Sequence, residues 1–183
     1  MNESSRSTSV LFTVGLGVVL VLGLAFTAYM ISDSWGAGYA VVNGVAGTLV
    51  SLLALVRGVD RFRTAVAGVA VAALAVVVSL VADLPQEPGP VTGLALAVLV
   101  GSAIRTLPAR TAAAIGAGGL LVVVGSWLSA RDNQGGLTAV TLLDALGWLA
   151  AVTAGLTLRA ADARQRPVTV PTPSPWTRSI RAR

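Results

Sequence analysis

The residue best placed to do chemistry is Asp144, the one ionisable side chain well inside a long apolar run, 137–158. An aspartate in hydrocarbon costs about 2.5–3.5 kcal/mol on insertion scales, so it is expected to face neighbouring helices or a hydrated cavity. There it could take up a proton, bind a cation or polar solute, or act as hydrogen-bonded glue between helices. Its counterpart is Asn43, in the run 36–56. Counted from the same predicted side, each lies about seven residues along its run, roughly 10 Å at the helical rise. Asp144 and Asn43 therefore make a candidate intramembrane polar site. The competing structural reading is an interhelical hydrogen bond of about 0.6–2 kcal/mol.

Composition removes most other chemistry. The 183 residues include no histidine and no cysteine, and all 13 basic residues are arginine. Zinc or haem ligation by those side chains, disulfides, a Ser-His-Asp triad and a thiolate nucleophile are excluded. The lack of lysine removes the P-loop lysine and Schiff-base chemistry. Asp144 has no second carboxylate at a comparable depth. No catalytic residue, metal ligand or cofactor site is expected, and the chain reads as non-enzymatic.

The elements that must position Asp144 and Asn43 follow from the apolar patterning. Hydrophobic residues make up 55% of the chain and charged ones 11%, against roughly 25% charged in an ordinary soluble domain. Six apolar runs, about 10–31, 36–56, 65–82, 89–104, 111–130 and 137–158, are bounded by charges, prolines and turn residues. Most approach the ~20 residues that span a bilayer. The expected fold is all-α: a polytopic integral membrane protein with a bundle of six transmembrane helices. The fourth run, about 16 residues or roughly 24 Å, must thin the bilayer or borrow flanking residues, and a five-span chain with a re-entrant fourth segment is the alternative.

The arginines set the orientation. Arg6 precedes the first run; Arg57, Arg61 and Arg63 lie between the second and third; Arg105 and Arg110 lie between the fourth and fifth. Six more, from Arg159 to Arg183, follow the sixth. The other side carries Arg131 with Asp33, Asp83, Glu87 and Asp132. The positive-inside rule then places both termini in the cytoplasm, with 1–9 as a cytoplasmic N-terminus and the plasma membrane as the location. The first run, about 22 residues, exceeds the roughly 7–15 of a signal peptide's apolar core and is expected to remain attached.

Helices associate in lipid through small residues that let backbones approach. Gly36, Ala40, Gly44 and Thr48 recur every four residues in the second run, and Gly147, Ala151 and Gly155 in the sixth, with Asp144 on the same face. The third and fifth runs share Arg-Thr-Ala, at Arg63 and Arg110, and a valine run ending in Ser79 or Ser126. That is a weak hairpin repeat with a period near 47 residues. From residue 159 to 183 the chain becomes a basic, proline-rich tail, expected to be disordered and cytoplasmic. Trp176, Arg178, Arg181 and Arg183 are candidate contacts to anionic headgroups at the membrane surface, at about 1 kcal/mol per nearby arginine. Nucleic acid is not an expected partner, because no folded domain presents these charges.

The segments LVRGVDRFRTAVAGVAV, AIRTLPARTAAAIGAGG and GWLAAVTAGLTLRAADAR resemble the membrane-spanning sensor regions of actinobacterial sensor histidine kinases. In those proteins alanine-, valine- and leucine-rich spans are joined by short arginine-rich turns, and a basic helix leads out to the kinase. The resemblance covers residues 10–164 and carries no chemical motif. It implies a sensor-like membrane module without kinase activity, since this chain has neither a phosphorylatable histidine nor an ATP-binding domain. Two functions are therefore expected to compete. One is a non-enzymatic membrane module or accessory subunit, surrounded by the lipid bilayer and acting through a membrane protein partner or a second copy of itself. The other is a small secondary transporter with its polar site at Asp144 and Asn43.

Overall fold

The computed structural model describes residues 3–34, 37–82, 84, 88–134 and 138–165. Among them the fold is all-helical: α1 (Glu3–Ser34), α2 (Ala37–Val56), α3 (Arg61–Val81), α4 (Pro90–Thr106), α5 (Ala109–Gln134) and α6 (Ala139–Arg164). Local chemistry fixes several ends. Asp60 caps α3 by accepting from the Arg63 N–H, and Thr138 caps α6 by accepting from the Thr141 N–H. Gly89 starts α4, with Pro90 in the first turn, where its missing N–H removes no helical bond. Leu107 ends α4 in extended conformation because Pro108 follows it.

Five helices are long and apolar enough to cross a membrane: α1, α2, α3, α5 and α6. Their outer faces carry large apolar side chains, such as Leu11, Val18, Leu22 and Phe26 on α1, Leu74 on α3, Leu121 on α5 and Leu143 on α6. A bundle that is apolar outside as well as inside has the character of a multi-pass helical membrane protein, with lipid as its solvent.

The short α4, the weakest run by length, forms the centre. At 17 residues it is about 25 Å long, and it alone touches all five other helices. Ala95, Leu99, Val100 and Ala103 on α4 are fully enclosed, together with Val50 and Ala54 of α2 and Ala65 and Ala72 of α3. The other helices form an arc around it in the order α1, α2, α3, α5, α6. The arc does not close, because α1 and α6 do not touch.

Small residues set these contacts, with one reassignment. The α6 stripe packs on α4 as its spacing predicts. A Cβ at Gly155 would lie 2.8 Å from the Gly101 carbonyl oxygen, and one at Gly101 would lie 3.2 Å from that of Ala151. The two backbones are in direct contact. The α2 stripe does not pack this way, since nothing lies within 4 Å of a Cβ at Gly44 and Thr48 is exposed. The packing face of α2 is instead the adjacent one, Asn43, Gly47, Val50 and Ala54, because Gly47 admits Leu24 of α1 and Thr92 of α4. Helices α3 and α5 run parallel: Gly118 meets Val69, and seven residues on Gly125 meets Val76. This pairing brings the related Ser79 and Ser126 to the same end of the bundle, both buried.

Several helix ends lie beyond the apolar runs, among them the start of α3 at Arg61 and the end of α5 at Gln134, and the two largest extensions are at the ends of the bundle's sequence. Helix α1 begins at Glu3 rather than near residue 10, and α6 continues through 159–164, which were expected to belong to a disordered tail. Ala160, Ala161 and Ala163 favour helix, no proline intervenes before Pro167, and Arg159 and Asp162 are tied to α4. The remainder of the tail, 166–183, lies outside the described residues.

Candidate functional site

The first turn of α4 gathers the buried polar groups. Asn43 from α2 is 3% exposed and lies against Gly89, so closely that a Cβ there would collide with its amide. Asp144 from α6 is 6% exposed and lies against Gly93, where a Cβ would collide with Oδ1. The two sequence-identified residues thus meet the same helix end, one turn apart. Each needs a glycine on α4 to come so close.

Ser126 of α5 donates to Asp144 Oδ2 at 3.4 Å, and Ser129 donates to the Ser126 carbonyl at 2.9 Å. Thr92, Ser79 and Thr141 are also buried. The start of α4 presents N–H groups without intrahelical partners and the positive end of the helix dipole, a favourable setting for a carboxylate. Beside Asp144 is a cavity of about 10 Å³, walled by Pro88, Gly93, Leu96, Val122 and Trp148. That volume holds about one water. Trp148 closes it from α6 by donating its indole N–H to the Gly116 carbonyl of α5 at 3.0 Å.

The opposite end of the bundle holds a second constellation that the sequence reading did not single out. Arg105 on α4 grips Asp162 on α6 with two bonds, Nε to Oδ2 at 2.8 Å and Nη2 to Oδ1 at 3.1 Å. This bidentate partner raises the Arg105 pKa above its ordinary value. Arg159 donates to the carbonyls of Ile104 and Leu107 at 3.1 and 3.0 Å, capping the C-terminus of α4 with a cation. The available signal was a lone aspartate among the arginines that follow the sixth run. Across the gap in the arc, Arg57 donates to the Ala54 carbonyl and stands 5.6 Å from the Phe12 ring centroid. Its pKa is lowered by desolvation and then by repulsion from Arg61.

Trp176, Arg178, Arg181 and Arg183 lie outside the described residues. Among the described residues no three His, Cys, Asp or Glu side chains gather closely enough to hold a metal ion. The chain matches no protein-family model, no curated protein and no solved structure.

Proposed function

We propose that this chain is a non-enzymatic, multi-pass plasma-membrane protein, a sensor-like membrane module or accessory subunit that acts through a protein partner in the bilayer. Six helices cross with both termini cytoplasmic. The arginine distribution supports that orientation, and α4, though about 5 Å shorter than a ~30 Å hydrocarbon core, crosses among five longer helices that flank it everywhere but at the gap between α1 and α6. The likeness to kinase sensor regions supports the sensor-like character.

The observation that carries the reading is the setting of Asp144. The one ionisable group deep in a span is enclosed by α4, α5 and α6, hydrogen-bonded to Ser126 and next to a cavity of about 10 Å³. A transport site needs room for a substrate and access from both faces in turn. This setting instead fits a polar lock that fixes the register of three helices.

Reconstitution into sealed vesicles tests the choice. Under an imposed pH gradient the wild type and Asp144→Asn should show the same basal proton leak, and photocrosslinkers at Val18 and Leu22 in native membranes should capture one recurrent protein. An Asp144-dependent flux would replace this reading with the transporter.

A further inference from the structure

The gap between α1 and α6 is a groove of about 710 Å³, open to the side of the bundle. Its volume falls within the roughly 300–1,000 Å³ of ligand pockets. The floor is α4, through Leu94, Ala97, Val98 and Gly101, and one wall is α6, where Ala150 and Ala154 leave the trough clear. From Leu94 to Arg105 the floor runs about 16 Å at the helical rise. That is close to one leaflet's half of a ~30 Å hydrocarbon core.

Only one end of the groove is charged. Arg57 and Arg61 stand there, and Arg105 closes the floor. Asp162 occupies Arg105, and Asp60 pairs with Arg63 at 3.2 Å. Arg57 and Arg61 repel one another, and neither has a carboxylate partner among the described residues. A cationic pair at the mouth of an apolar trough one leaflet long is complementary to a molecule with an anionic head and a hydrocarbon tail. We propose that the groove between α1 and α6 binds an anionic phospholipid of the cytoplasmic leaflet, its phosphate at Arg57 and Arg61 and an acyl chain along α4. The leaflet assignment rests on the topology proposed above; the lipid chemistry rests on the groove itself.

Arg57 also caps the end of α2, so Arg61→Gln is the gentler variant, and Ala154→Trp fills the trough without touching a charge. The full chain, purified in neutral detergent, is titrated with phosphatidylglycerol and with phosphatidylcholine of the same acyl chains, and bound lipid is counted by native mass spectrometry. One phosphatidylglycerol should be retained in preference to phosphatidylcholine. Arg61→Gln should weaken it about fivefold, and Ala154→Trp should abolish it with the melting temperature kept. Arg63→Gln, whose side chain is outside the groove, should change nothing. Equal retention of the two lipids, or an equal loss in Arg63→Gln, would overturn the site, as would a dimer that Ala154→Trp dissociates, because the occupant would then be a second copy. A reporter fused after Arg63 that reads external would overturn the leaflet and the topology, and phosphatidylglycerol selectivity, measured in detergent, separates that failure from failure of the site.

Discussion

Asp144 and Gly93 depend on each other: the carboxylate occupies the space that any other residue at position 93 would fill. Gly93→Ala is expected to destabilise the bundle by about 1–3 kcal/mol, the usual cost of overpacking an enclosed site. Gly44→Ala meets open space and is expected to be neutral or to gain up to about 1 kcal/mol of helix propensity. Thermal unfolding of the two variants in one detergent checks the contrast, and equal effects would mean that Asp144 does not press on α4. At Asp144 itself an amide keeps hydrogen-bonding capacity, so Asp144→Asn should unfold close to wild type. Asp144→Leu removes the bond that the buried Ser126 hydroxyl donates to the carboxylate, at a cost of about 0.5–1.5 kcal/mol. That loss should be smaller when Ser126→Ala is already present. Strictly additive losses would remove the Ser126 contact as a source of stability. The sequence exposed Asp144 because a charge in an apolar run is conspicuous, and counting turns put Asn43 at the same depth. Their meeting place at Gly89 and Gly93 was not legible, since in a chain with 20 glycines nothing local distinguishes the two that face Asn43 and Asp144.

Element existence was legible because apolar runs near 20 residues have few alternatives to helix in a bilayer. Element rank was not. Length made the fourth run look weakest, yet a helix that packs against all five others, and is uncovered only along the gap between α1 and α6, can be shorter than its neighbours. Hydropathy does not separate lipid-facing from protein-facing sides, so the α2 stripe through Gly44 read like the α6 stripe through Gly155, although only the latter packs. The exit of α6 was misread for a related reason. Charged residues after Leu158 marked the end of a span, whereas the helix persists because Arg159 and Asp162 hold it to the end of α4. These two ties should differ in strength. The Arg105–Asp162 pair is exposed by more than 40% on both sides, and salt and solvent limit such pairs to about 1 kcal/mol or less. Arg159 is partly buried and satisfies two α4 carbonyls, so Arg159→Met is expected to cost about 1–2 kcal/mol, more than Arg105→Gln. A denaturation series in which the Arg105 variant is the weaker protein would reverse that ranking.

At the scale of the whole molecule the argument is one of solvent and sidedness. The outer faces of the helices suit lipid, and the charged ties at Arg105, Arg159 and Asp162 lie at the arginine-rich end, opposite Asp144 and Asn43. With both termini inside, reporters fused after Arg63, Arg110 and Arg183 should report from the cytoplasm, and those after Asp33, Glu87 and Asp132 from outside. The fusion after Glu87 bears most on α4, because a re-entrant segment there would leave five spans and carry the Arg183 reporter to the outside. Opposite readings after Glu87 and Arg110 require that α4 cross. Removal of 166–183 gives an independent check on where the folded bundle ends, since the last tie to α4 comes from Asp162 and α6 stops at Arg164. A chain ending at Gln165 should insert and melt like the full chain. A clear loss of folded protein would mean that Trp176, Arg178, Arg181 and Arg183 dock on the bundle or the headgroups. Repeating the melt with phosphatidylglycerol present then separates a membrane-surface contact, which the anionic lipid strengthens, from a contact with the protein, which it leaves unchanged.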